Sequence, residues 1–220
     1  YDIMPSLVGS EMCIRDRNQT ASFSVVSEFS PEKWRIALNG VLPDDLVVKH
    51  VQQVPSDFHA RHSSVGKRYR YLVCNLPYRS PFSRNKSWWV RKSLNLEAIR
   101  DASSYLVGKH DFSAFRAAAC SSPNPNKDLR EILCDVKPWL HANLCFELEA
   151  DSFLQHMVRI MVATLVQVGT GKLKPEQMKG ILESRDRTQA GLTAPAHGLY
   201  ALAVRYPEDS IEWPDELMDL

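Results

Sequence analysis

The clearest pattern along the chain is the alternation of residue types in KRYRYLVC, residues 67–74. Successive side chains of a strand point to opposite faces of a sheet, so this pattern predicts a strand with two unlike faces. NLCFELEAD, residues 143–151, alternates in the same way, with Leu144, Phe146 and Leu148 on one face. In the first strand, one face carries Tyr69, Tyr71 and Val73, and the other carries Arg68, Arg70 and Leu72.

Further stretches predict strands because they are short and rich in β-branched or aromatic residues. We expect REILCDVKPW to pair with NLCFELEAD, which follows it closely along the chain. The predicted strands are QTASFSVVS (19–27), DLVVKHVQQV (45–54), KSWWVR (86–91), REILCDVKPW (130–139) and GLYALAVRYP (198–207).

Four stretches predict helices. SPEKWRIALNGVLP has Ser30 as N-cap, Pro31 at the first position and Gly40 at its end. NLEAIRDASSYLVG places Leu96, Ile99, Ala102 and Leu106 at helical spacing. The other two are SFLQHMVRIMVATLVQVG (152–169), which is apolar nearly all round, and KPEQMKGILESRD (174–186). Strands in hairpins mixed with helices predict an α+β fold, an antiparallel sheet with helices packed on one face.

Composition narrows the class of protein. The chain of 220 residues is 44% apolar and 24% charged, which permits a packed core. No apolar run reaches the roughly 18 residues that a membrane span needs, so no membrane association is expected. The five cysteines are scattered, which favours reduced thiols and a cytoplasmic location, with an organelle left open. The seven histidines show no ligand spacing, so no metal is predicted.

The net charge of +1 hides a marked asymmetry. Residues 58–96 contain no Asp or Glu, whereas the tail from Pro207 carries six acids and no base. A segment of one sign predicts a polyanionic partner; the alternative is a solvated face whose counter-charges come from elsewhere in the fold. The basic segment holds nine Lys or Arg residues: Arg61, Lys67, Arg68, Arg70, Arg79, Arg84, Lys86, Arg91 and Lys92.

Candidate chemistry centres on Arg159, which lies within the most apolar predicted helix. A buried guanidinium is costly unless an anion pairs with it, so Arg159 is a candidate for holding a carboxylate or phosphate in a cleft. The alternative is a polar stripe of that helix shared with Gln155 and His156. Tyr69 is either a core residue or a ring that stacks on a base.

A second candidate is the turn before the first strand, where Arg61 lies between His59 and His62. Three basic or titratable groups within four residues suit contacts to phosphate, although a solvated turn would have the same composition.

Six motifs occur in a familiar order: QTASF, W..ALNGVLPDDL, DFHARHSSVGKRYRYLV, G..DFSAFR, FLQHMVRIMV and RDRTQAGLTAPAHGLYALAVRY. Together they resemble the tRNA pseudouridine synthase A family from about residue 18 to residue 207. Members of that family convert particular uridines in the tRNA anticodon stem-loop to pseudouridine. They cleave the N-glycosidic bond, rotate the uracil and rejoin it through carbon, without a cofactor. The resemblance implies tRNA as partner and an isomerase activity, and a homodimer is a further expectation.

The resemblance also implies roles for individual residues. Arg61 matches an RNA-contacting Arg, Tyr69 matches the Tyr that lies against the target uridine, and Arg159 matches the Arg that pairs with the reactive carboxylate. Lys67 and Arg68 would line the RNA cleft beside them. A target base must leave its stack to be reached, and a paired Arg would keep a nucleophilic Asp ionised.

One departure concerns the nucleophile itself. The family places its Asp in a GRTDxGVHA motif shortly before Gln19, and counting back lands on Glu11, without the flanking motif residues. Asp16 is the nearest Asp, at the wrong spacing. We therefore expect no catalytic nucleophile in this sequence, a truncated N-terminal half, and a polypeptide that is inactive as given. The alternatives are a non-catalytic RNA-binding protein that retains the cleft, and an enzyme gripping a small phosphorylated substrate with Arg159 and Lys67.

The expected organisation follows from these matches. Residues 1–17 would be a non-native start, 18–62 a remnant of the N-terminal half, and 63–207 a C-terminal α/β catalytic-type domain, followed by the acidic tail 208–220. Residues 63–207 would form one ferredoxin- or RRM-like pseudouridine synthase half.

Overall fold

The computed structural model describes residues 19–136 and 143–207. The expected foreign start, residues 1–17, and the acidic tail, residues 208–220, lie outside them. The helices are α1 (Pro31–Asn39), α2 (Leu96–Ser104), α3 (Met157–Gly169) and α4 (Gln177–Ser184). The strands are β1 (Gly66–Cys74), β2 (Trp88–Trp89), β3 (Gly108–Asp111), β4 (Asn126–Asp135), β5 (Leu144–Ala150) and β6 (Leu199–Arg205).

All six strands form one sheet, in the order β2-β1-β5-β4-β3, with β6 also paired to β1. β6 runs antiparallel to β1 along Gly66–Tyr71. β2 pairs parallel to the last two residues of β1, Val73 and Cys74. β5 occupies the other side of β1 and is antiparallel to it along seven pairs. The strand at the centre of the predicted candidate site therefore lies inside the sheet.

One face of the sheet and three helices enclose the main core. Tyr71, Phe146 and Leu148 from the strands are fully buried against α3, in which eleven of thirteen residues are buried. α2 packs closely on α3 at Gly169, where an added Cβ would lie 2.6 Å from the side chain of Ile99. These contacts confirm the predicted fold class, an α+β sheet with helices packed on one face.

The opposite face of the sheet carries a smaller apolar cluster of Leu72, Cys145 and Tyr200. The alternation predicted for β1 and β5 is therefore confirmed, because Leu72 and Cys145 point away from Tyr71 and Phe146. Beside this cluster lie the charged side chains of both strands.

Two predicted strands, residues 19–27 and 45–54, are wrong: neither stretch is a strand in the structure. Both contain β-branched residues, but Val26 and Val47 are exposed, and propensity alone cannot pair a backbone without a neighbouring strand. The side chain of Asn39 accepts a bond from the Val48 nitrogen at 2.7 Å and donates to its carbonyl at 2.9 Å.

Some observed element boundaries differ from the predicted ones. α1 begins as predicted, with the Ser30 hydroxyl accepting from the Lys33 nitrogen, but it buries none of its residues. α3 begins at Met157 instead of Ser152, because His156 adopts a left-handed conformation with φ of 62°. β3 was not predicted; it starts at Gly108, whose φ of 112° suits only glycine.

Within the residues described, no helix has the length and apolar character needed to cross a bilayer.

Candidate active site

Strand β1 places Lys67, Tyr69 and Tyr71 on the face that the helices cover. Tyr71 is fully buried, and its hydroxyl donates to the Pro195 carbonyl at 2.6 Å. Gly198 lies against its ring, since an added Cβ would be 2.6 Å from the ring carbon Cζ. Tyr71 is thus a core residue.

Tyr69 is only partly buried, at the margin of the same core. Its ring meets that of Phe153 edge to face, with the centroids 5.2 Å apart. Edge-to-face contacts of this kind are favoured by the ring quadrupoles and restrict the orientation of a ring. Tyr69 is therefore the tyrosine of β1 whose ring combines a fixed orientation with partial exposure.

Arg159 lies in the first turn of α3 and is half-buried. Its Nε donates to the Ala194 carbonyl at 2.7 Å, and its own carbonyl accepts from the Ala194 nitrogen at 3.3 Å. The carbonyl of the next residue, Pro195, accepts the hydrogen bond from the Tyr71 hydroxyl. One short segment, residues 194–198, therefore joins the start of α3 to the tyrosine face of β1.

A second guanidinium, that of Arg187, lies near Arg159 and His156. Burial lowers the pKa of His156, and the charges of Arg159 and Arg187 lower it further, so the three groups lie close enough to interact. The Arg187 guanidinium donates to the Ala190 carbonyl at 3.5 Å and to the Thr193 hydroxyl at 3.4 Å. A region with this charge at the beginning of a thirteen-residue helix can hold an anion such as a carboxylate or a phosphate.

Arg61 and Lys67 are also neighbours. Burial lowers the pKa of Lys67, and the nearby charge of Arg61 lowers it further. Arg61 is exposed on a turn whose backbone is fixed by hydrogen bonds, including one from the Arg61 nitrogen to His59 Nδ1 at 3.1 Å. Two cations that repel each other at the start of β1 would both be stabilised by a shared anion.

Arg68, predicted as a substrate contact, lies on the opposite face of the sheet from Tyr69. Its guanidinium donates to one oxygen of Glu147 at 2.7 and 3.2 Å, and Arg70 donates to the other at 2.7 and 3.0 Å. Glu131 and Glu149 also lie within 4 Å of it. The structure therefore groups Arg68 with acids and not with Lys67, Tyr69 and Arg159.

The ion pairs control the titration of Glu147. Burial by itself raises the pKa of this carboxyl, but the hydrogen bonds and charges of Arg70 and Arg68 outweigh burial and hold the pKa below its ordinary value. The carboxylate is therefore charged at neutral pH and satisfies two arginines at once.

Sequence reasoning missed Phe153 and the segment 194–198 as parts of this site. Phe153 belongs to the FLQHMVR motif, and the segment belongs to TAPAHGLY, so both lay within recognised motifs. No periodicity could indicate that they meet across the fold. Among the residues described, no three His, Cys, Asp or Glu side chains group in a way that could hold a metal ion.

Comparison with known proteins identifies similar sequences. The family model described as tRNA pseudouridine synthase matches residues 102–207. A protein of Thermoanaerobacter sp. (strain X514), named tRNA pseudouridine synthase A, is 42% identical over 188 residues, which is 86% of this chain and 76% of the relative. Proteins of the same name from Syntrophotalea carbinolica and Francisella tularensis subsp. novicida are 39% and 35% identical, over 90% and 89% of this chain and 78% and 74% of theirs.

The family model covers α3, which carries Arg159, and the segment 194–198. At this identity and coverage, the chain belongs to the tRNA pseudouridine synthase A family, a family of isomerases.

Proposed function

We propose that this chain binds the anticodon stem-loop of tRNA and presents a uridine for isomerisation to pseudouridine beside Tyr69. We call the proposed RNA-binding surface of Arg61, Lys67, Tyr69 and Arg159 the groove. The observation that carries the proposal is the link through residues 194–198. This segment ties Arg159 to the strand face that bears Tyr69. An anion-binding guanidinium and a partly exposed ring on one side of a sheet suit a base that has left its stack.

In this proposal each residue has a distinct task. Tyr69 lies against the uracil, in an orientation fixed by Phe153. Arg61 and Lys67 contact phosphates, which would relieve their mutual repulsion. Arg159 holds and orients the nucleophilic carboxylate of the reaction. Arg68 has no part in RNA binding, because Glu147 already occupies its guanidinium.

The 220 residues contain no Gly-Arg-Thr-Asp sequence. We therefore propose that this polypeptide by itself does not form pseudouridine, and that the reaction needs a carboxylate supplied next to Arg159. The same absence favours a second candidate function, tRNA binding without catalysis. In both cases the groove binds tRNA, and only the chemistry differs.

We further propose that residues 18–62 and 63–207 are separate structural parts. The support is the difference in burial: α1 buries none of its nine residues, whereas the sheet and α3 form one core. A homodimer stays a prediction.

The test compares tritium release from uracil-labelled tRNA by this chain and by a longer version that carries an upstream Gly-Arg-Thr-Asp segment. We expect turnover only from the longer version. There, Arg159→Gln should reduce kcat by about 10²-fold or more, as the loss of an electrostatic contact to the reacting groups does elsewhere. Lys109→Gln, which removes an exposed cation from β3 at the far edge of the sheet, is the matched control.

Turnover by the 220-residue chain at the rate of the longer version would contradict the proposed inactivity. A longer version that binds tRNA but never turns over would favour the non-catalytic function. If neither version binds tRNA, the assignment of the groove is wrong.

A further inference from the structure

The segment that follows β1 and contains β2 is a second basic region, separate from the groove. We call residues 76–92, LPYRSPFSRNKSWWVRK, the basic loop. It contains no Asp or Glu, and its five cations are all exposed: Arg79, Arg84, Lys86, Arg91 and Lys92.

The described part of the chain supplies no counter-charge to the basic loop. Within residues 19–136 and 143–207, none of its five cations forms an ion pair with a carboxylate. Lys92 donates to a backbone carbonyl, that of Thr170, at 2.5 Å. Exposed charge of one sign attracts a polyanion over several ångströms of solution.

The backbone of the basic loop is held in place by side chains at its base. Trp89 Nε1 donates to the Leu76 carbonyl at 3.0 Å, and the Tyr200 hydroxyl donates to the Lys86 carbonyl at 2.7 Å. The Asn75 amide donates to two further carbonyls, of Val90 and Lys92, at 2.8 Å each. A loop fixed in this way loses little conformational entropy when it binds a partner.

Aromatic surface lies among these cations. Tyr78 is 67% exposed and Phe82 is 71% exposed, and the Arg79 guanidinium lies 4.7 Å from the centroid of the Trp89 ring. Exposed rings beside cations suit unpaired nucleotides, whose bases stack on the rings while their phosphates meet the charges.

We propose that the basic loop is a second RNA-contact surface, which binds unpaired nucleotides of the tRNA by stacking on Tyr78 and by phosphate contacts from Arg84 and Lys86. This inference rests on the proposed function, since it takes tRNA as the partner. The Lys86 carbonyl is bound by Tyr200, which belongs to the cluster on the face of the sheet opposite Tyr69 and Tyr71. The nucleotides bound by the loop are therefore not the target uridine, and a tRNA is large enough to reach both surfaces.

The experiment measures the affinity of the 220-residue chain for a fluorescein-labelled, unmodified tRNA transcript over a series of salt concentrations. A fully paired RNA duplex serves as a second probe. The variants are Tyr78→Ala, the double variant Arg84→Gln with Lys86→Gln, and the control Lys109→Gln, which removes one exposed cation from β3, four strands from β2. Tyr69→Ala reports separately on the groove.

We expect the double variant to weaken tRNA binding about tenfold and to reduce the slope of log K against log salt by about 1 to 2, since each lost phosphate contact contributes 0.7–0.9. Tyr78→Ala should weaken tRNA binding by roughly 5-fold or more at an unchanged salt slope, and leave binding of the duplex unchanged. Lys109→Gln should change neither quantity.

Loop variants that bind tRNA as tightly as the parent, while Tyr69→Ala binds weakly, would overturn this inference and leave the proposed function intact. A parent chain that binds no tRNA would overturn both. If the double variant weakens binding to tRNA and duplex alike and Tyr78→Ala has no effect, the surface is a general polyanion site and recognition of unpaired nucleotides is wrong.

Discussion

Two groups of cations from the same basic stretch have opposite surroundings. Arg68 and Arg70, in the middle of β1, share the buried carboxylate of Glu147 at 2.7 Å. Arg84 and Lys86, in the basic loop, are exposed and have no carboxylate partner within the residues described. The two groups lie close together in the sequence, yet only the first has a carboxylate partner among the described residues.

This difference shows how to interpret a segment whose charged residues are all basic. Glu147 lies 79 residues beyond Arg68 in the chain and reaches it only because β5 pairs with β1. The structure realises the counter-charge interpretation for the strand arginines, and it leaves the loop cations as candidates for the polyanion interpretation. The strand arginines have counter-charges from elsewhere in the fold, and the loop cations are available to a polyanion.

The largest expected effect comes from breaking the paired group. Glu147→Ala leaves two partly buried guanidinium groups without their shared partner, so we expect the free energy of unfolding to fall by about 3 kcal/mol. Urea denaturation followed by circular dichroism measures it. The control is Glu183→Ala, which removes a carboxylate from an exposed pair with Lys179 and should cost under about 0.5 kcal/mol. Equal losses in both variants would show that the strand pair is no more important than a surface pair.

A smaller effect should appear in the pH dependence of stability. The pKa of Glu147 is lowered in the folded protein from its ordinary value of 4.5. Its contribution is therefore fully present above about pH 4.5 and is lost as the pH falls through the lower folded pKa. We expect the free energy of unfolding of the parent to fall more steeply below pH 4.5 than that of Glu147→Gln. Parallel curves for the two proteins would contradict this linkage.

The smallest expected effect concerns the exposed cations of the basic loop. Arg84→Gln combined with Lys86→Gln should leave the urea midpoint unchanged, because exposed side chains outside any network rarely alter stability. The charge-matched pair of changes on β1, Arg68→Gln with Arg70→Gln, should lower that midpoint clearly. A loss of stability in the loop variant would mean that its cations are structural and not free for RNA.

Much of the fold followed from local pattern. The alternation in β1 and β5 predicted their faces correctly, and the cap at Ser30 marked the start of α1. The same alternation placed Arg68 opposite Tyr69, so its separation from the groove was already implicit in the pattern. The failures, the strands predicted at 19–27 and 45–54, came from propensity without a partner, because a strand is stable only beside another strand.

By itself, the sequence determined the fold class, the family motifs and the presence of charge without acids over residues 58–96. These depend on residue type and spacing within short windows. Only the tertiary structure decided which cations are neutralised, since Glu147 and β1 meet through strand pairing across the chain. It also decided that Ala194 and Pro195 connect Arg159 to Tyr71, because contacts between residues more than thirty positions apart depend on packing and not on local pattern.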